Sequence, residues 1–163
     1  MSRELYIFFV FLHVVAACLW LGGMLFLILA FIPGIKDRPD KVNLIGNVSL
    51  KFRTAGSVAL VILLVTGIAQ LQYRGVQWTM EYFTGSPFGR TAGLKLLIFM
   101  GIVVISIVHD YYIGTLAIEV WKKQGERSKT VKLRNLSRLL GRVSFILALI
   151  AVLLGVILGR GGG

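Results

Sequence analysis

The sequence predicts an all-α integral membrane protein, a single antiparallel bundle of four transmembrane helices. Three observations predict it. Four apolar stretches divide the chain, and a helix needs about 20 such residues to cross a bilayer core. The 163-residue chain is 56% hydrophobic with a mean hydropathy of +0.82, against about 45–50% apolar content in soluble domains. The Lys and Arg residues behind the net charge of +11 gather between the apolar stretches. That is the pattern of cytoplasmic membrane loops and of contact with anionic lipid, and it argues against nucleic acid as the partner. The length suits one domain over 1–163.

The first span is expected over about 5–32. Leu5 to Pro33 holds no Asp, Glu, Lys or Arg, yet carries His13. An ionisable side chain inside a span is costly and marks a functional site by default. Pro33-Gly34 is expected to end the helix. At 100° per residue Tyr6, Phe9, His13, Ala17, Trp20, Met24 and Leu27 share one stripe. Trp20 and Met24 are expected to pack. Cys18, the single cysteine, lies about 140° from His13 on that projection. It excludes an internal disulfide. Val15-Ala16-Ala17-Cys18 resembles a lipoprotein cleavage site, but the run stays apolar to Pro33, so an uncleaved span is expected.

Residues 36–53 form a basic loop, with Lys36, Arg38, Lys41, Lys51 and Arg53 against Asp37 and Asp40. Val42 to Leu50 is expected to form a separate interfacial helix. The second span covers about 54–73, and Thr66 and Gln70, four apart, share a face. Between Arg74 and Arg90 lie Trp78, Tyr82, Phe83 and Phe88, a density that suits a membrane interface, with a turn at Gly85-Ser86-Pro87.

The third span covers about 91–120. Lys95, Ser106 and His109 fall on one inward face and Met100 opposite. On its own, Lys95 is expected to extend to the interface. His109 has Asp110, Tyr112, Glu119 and Arg138 as expected neighbours. Glu119 and Lys123 are spaced for a helix pair. Residues 121–142 are strongly basic, opposed only by Glu126. Arg134, Arg138 and Arg142 lie on one stripe expected to meet lipid headgroups. The fourth span covers about 143–159, and Gly161 to Gly163 is a frayed tail. The two basic loops put both termini outside. A faint echo relates the halves, through a basic loop and then Thr66-Gly67 or Leu154-Gly155.

Depth separates the candidate ligands. At 1.5 Å per residue His13 lies about 12 Å and Lys95 about 6 Å inside the outer surface, with Gln70 near them. His109 lies about 27 Å along its helix, so the two histidines differ by roughly 15 Å in depth. One haem held between them is disfavoured.

The run from Leu12-His13 to Trp20 and Gly22-Gly23-Met24 resembles the first helix of the copper resistance D (CopD) family. It is also similar to the related HemJ-type protoporphyrinogen oxidases. Gly93-Leu94-Lys95-Leu96-Leu97 with His109-Asp110 resembles their third helix, and Arg138-Leu139-Leu140-Gly141-Arg142 the close of a CopD domain. The resemblance implies a helical bundle in a prokaryotic inner membrane that handles haem or copper. For the HemJ branch it implies functional roles at His13 and Lys95.

The expected function is therefore haem b binding, with one or two haems per protomer, for electron transfer or oxidation of a small lipophilic donor. His13 is the favoured axial ligand and His109 a second one or the ligand of a second haem. Lys95, Gln70 and Trp20 are expected around the cofactor. A quinone is a candidate redox partner, and the Ala and Gly residues of the first span suit a homodimer. Copper handling is the alternative, drawing on His13 or His109 with methionines. Soft ligands select Cu(I), and the four Met residues do not line up with either histidine. A cofactor-free structural or assembly subunit is the third reading.

Overall fold

The computed structural model of the protein describes residues 2–125 and 127–161. Met1, Glu126 and the Gly162-Gly163 part of the expected tail lie outside the described residues. Four helices are long and apolar enough to cross a membrane. They are α1 (Arg3–Gly34), α2 (Lys41–Tyr73), α4 (Pro87–Lys123) and α5 (Ser128–Gly159). A short helix, α3 (Met80–Gly85), lies between the middle two.

The expected spans are all present, and each is longer than its apolar run. The separate interfacial helix expected over Val42 to Leu50 does not exist, because it is the first part of α2. Nothing between Lys41 and Tyr73 forces a break, since the stretch holds no proline. α5 likewise starts at Ser128 rather than Val143, with its basic residues already helical. α4 starts at Pro87 because Ser86 caps it, its Oγ accepting from the Gly89 N–H at 2.9 Å. Pro at the first helical position costs no hydrogen bond. Gly89 has no room for a side chain, since the Tyr82 carbonyl crosses there.

Two spans carry a widened turn. In α1 the Ile32 N–H bonds the Leu27 carbonyl, five residues back, over Leu27–Phe31. Pro33 follows, and its ring would collide with the carbonyl four residues before it in a regular helix. In α4 the widened stretch is Val108–Ile113, and the Gly114 N–H bonds the His109 carbonyl. A Cβ at position 114 would stand 2.8 Å from that carbonyl oxygen. Glycine there permits the close approach. Widened turns of this kind gather at functional sites.

α1 packs on α2, and α4 on α5. The middle of the bundle is a layer of buried Trp20, Ala59, Ile102 and Ala148. A second cluster, Leu71, Val76, Ala92 and Leu158, closes the end that carries the aromatic segment. The central layer sorts the polar residues. One heptad from it in each helix, about 10 Å at 1.5 Å per residue, stand His13, Thr66, Lys95 and Gly155 towards the aromatic end. At the same interval towards the basic end stand Leu27, Phe52, His109 and Gly141.

Candidate functional site

Two polar centres result, one on each side of Trp20. In the aromatic half, Thr66 is buried and its Oγ1 donates to the Ile62 carbonyl at 2.6 Å. The same oxygen then accepts from Nδ1 of His13 at 2.7 Å. That assigns the proton to Nδ1 and leaves the Nε2 lone pair open. The imidazole lies against Gly67, where a Cβ would be in ordinary contact at 3.5 Å from His13 Cε1. Gln70 joins the chain by donating to the Thr66 carbonyl at 3.2 Å.

Lys95 does not extend to the interface as its physics alone predicts. It is half-buried and lies inward over Gly155, where a Cβ would come 2.9 Å from Nζ. A helix surface without a side chain gives the ammonium that space. Lys95 lies within electrostatic reach of His13, and no hydrogen-bond partner for it is found among the described residues. His13, Thr66 and Lys95 thus share one level, with Gln70 one helical turn beyond it, and the aromatic end above them is closed. Arg74 Nη1 donates to the Leu158 carbonyl at 2.6 Å, and its Nε and Nη2 donate to Tyr6 Oη at 3.2 and 3.1 Å. Tyr6 in turn stacks on Tyr73 at 4.2 Å.

The basic half is built differently. His109 Nδ1 meets Asp110 Oδ1 at 2.6 Å. Neighbours on a regular helix face about 100° apart. The widened turn suspends that rule and lets adjacent residues bond. A carboxylate can only accept, so Nδ1 carries the proton, and in the neutral imidazole Nε2 is the acceptor facing Ser137 Oγ at 3.1 Å. The Asp110 carbonyl, displaced by the same turn, accepts from Thr115 Oγ1 at 3.0 Å and from Arg53 Nη1 at 3.3 Å. The Arg53 guanidinium also lies over the Tyr111 ring at 4.8 Å. Gly141 faces the imidazole, with a Cβ there 3.9 Å from Nε2.

His109 and Asp110 stand at the wall of a cavity of about 550 Å³, within the usual range of small-molecule sites. Trp20 is its floor, Met24, Leu27 and Ile28 give an apolar wall, and Ser106 and Ser144 add hydroxyls. Both widened turns border it.

Several expectations change here. Tyr112 and Glu119 are not neighbours of His109, since both are exposed and Glu119 pairs with Lys123 at 2.7 Å. Arg134, Arg138 and Arg142 border the cavity rather than facing lipid headgroups alone. Met24 packs on the central layer as expected, and it also lines the same cavity as His109. His13 and His109 are separated by about 20 Å along the axis, so no single iron can take both. Sequence reasoning missed Ser137, Arg53, Gly114 and Gly141. Gly67 and Gly155, which lie under His13 and Lys95, fall in the faint echo of Thr66-Gly67 and Leu154-Gly155, which is too weak to single them out.

Fold and sites define a class, a four-span helical membrane protein with polar centres at two depths. Within that class the chain is 34% identical to an uncharacterized protein of Aquifex aeolicus (strain VF5) over 150 residues, 91% of each chain, and it belongs to the same family. No family model and no solved structure matches it.

Proposed function

We propose that this protein binds haem b in the cavity of the basic half, with His109 as axial ligand. It would serve in electron transfer or in oxidation of a small lipophilic donor. One observation carries the reading: an imidazole with Nδ1 fixed on Asp110 and Nε2 on Ser137 lines a cavity. A carboxylate behind a ligating histidine fixes its tautomer and orientation and raises its basicity. Gly141 leaves the wall beside that nitrogen without a side chain. Ser137 holds the lone pair until a ligand replaces it. The chain's part is to orient one nitrogen, exclude water with Trp20 and Met24, and cap the site with cationic groups.

When bound, the haem supplies a one-electron centre whose potential follows ligand identity, hydrogen bonding and burial. Copper fits the donor set less well. Among the described residues no three His, Cys, Asp or Glu side chains come together, and Met24 is a soft side chain in the same cavity lining.

His13 and Lys95, the positions that the HemJ resemblance marks, form the other centre. There Nε2 of His13 would hold a second haem only once the packing over Gly67 and Gly155 opened. In this reading the protein sits in a prokaryotic inner membrane with the basic half in the cytoplasmic leaflet and both termini outside. A quinone is the fitting lipophilic partner. Gly22 faces open space on α1, which suits a helix of a second copy.

The test is a pyridine haemochrome assay with metal analysis on the purified protein. Haem at one or two per chain supports the reading. Stoichiometric copper without haem overturns it, as does a protein that neither retains nor takes up haem.

A further inference from the structure

The charge lining the cavity is unbalanced. Arg138 and Arg142 are one helical turn apart on α5, and both border it. Each stands beside the part of α5 that meets His109, through Ser137 and Gly141 respectively. Neither guanidinium has an ion-pair or hydrogen-bond partner among the described residues. The Asp110 carboxylate in the same wall is already engaged by His109.

Cations near hydrocarbon are costly unless paired. Arginine forks are shaped for bidentate contact with carboxylates. The lining that α1 supplies, from Met24 to Ile32, is apolar. The cavity therefore asks for an apolar body with anionic oxygen at one end.

We infer that Arg138 and Arg142 hold the acid groups of the cavity's ligand, and that this ligand is an amphipathic carboxylate anchored with its charged edge towards the basic end of the bundle. The inference rests on the cavity being the ligand site and deepens the haem reading, since haem b carries two carboxylates. The same chemistry is offered by a fatty acid of the membrane.

Three probes separate these sources on the unaltered protein in detergent: haem b, haem b dimethyl ester and laurate. Haem and its ester are followed by Soret absorption, and laurate by displacement of a fluorescent fatty acid. The expected result is that haem binds at least tenfold more tightly than its ester. R138Q/R142Q removes that preference while leaving ester binding unchanged. The variant R160Q, altered at the far end of α5, behaves as wild type.

Equal affinity for haem and ester, with no response to R138Q/R142Q, overturns the inference and leaves the haem reading standing. Binding of laurate that depends on both arginines, with no haem uptake, sustains the inference and overturns the haem reading. Indifference of all three probes to the arginines overturns the inference. The ester comparison needs no substitution, so a variant that fails to fold does not block the test.

Discussion

The two halves of this bundle use one scaffold to opposite ends. Each hairpin pairs a span bearing a widened turn (α1, α4) with a long basic-started span (α2, α5). On either side of the Trp20 layer the same interval brings a ring of four residues together. In the aromatic half that ring is closed. His13 and Lys95 fill the space over Gly67 and Gly155, and Arg74 ties Tyr6 to the end of α5. In the basic half the ring is open, and His109 faces a cavity. The difference lies in where side chains are omitted. Glycines opposite long side chains let the helices close, whereas Gly114 and Pro33 accompany turns that widen the bundle. A polar residue in a span can thus be structural glue or the wall of a site, and its neighbours decide which.

Four substitutions and one control break or sharpen this contrast. The largest effect is expected from Gly114→Val. Its side chain collides with the His109 carbonyl and forbids the widened turn. Haem uptake at the basic half should fall about a hundredfold or be lost, as about 3 kcal/mol of misplacement implies. Gly101→Val, at an open position, should bind normally. Soret titration of the two variants checks this.

Asp110→Asn comes next. It keeps the shape but removes the carboxylate behind His109, and losses of about 10–100-fold in affinity are typical of such partners. Titration by absorption reads it, with the His109 tautomer followed by nitrogen NMR.

Thr66→Val acts on the closed half. It removes the bond to His13, and interhelical bonds of this kind in membranes average about 0.6 kcal/mol. Unfolding in mixed micelles should show a small loss, and haem uptake at His109 should not change.

Arg38→Ala should do least. Arg38 donates to Asp40 at 2.8 Å on the surface, and the hydrogen bond holds the Asp40 carboxyl below its ordinary value. A lowered carboxylate contributes above its ordinary titration range and loses that contribution as pH falls through the lowered value. The pair is fully exposed, so its effect is screened. No shift in thermal midpoint is expected between pH 5 and 8.

Much of this was legible in the chain. Composition and four apolar runs fix the class of fold, and the placing of His13, Gln70 and Lys95 in the same half of the bundle follows from rise per residue alone. Helix starts were not legible, because basic residues at 128–142 and 41–53 read as loop when they continue the spans. The His109–Asp110 bond was hidden for a sharper reason. Projection at 100° per residue holds only in a regular helix, and the widened turn is signalled by nothing louder than Gly114-Thr115. The cavity itself depends on what four helices leave unfilled, which no single helix records.

The most direct measurement is haem stoichiometry and reduced-minus-oxidised absorption for wild type, His13→Ala and His109→Ala, purified alike. An intact basic-half site predicts that His109→Ala loses a haem signal that His13→Ala keeps. The reverse outcome, with haem lost in His13→Ala and retained in His109→Ala, would contradict the assignment of the open half as the ligand site.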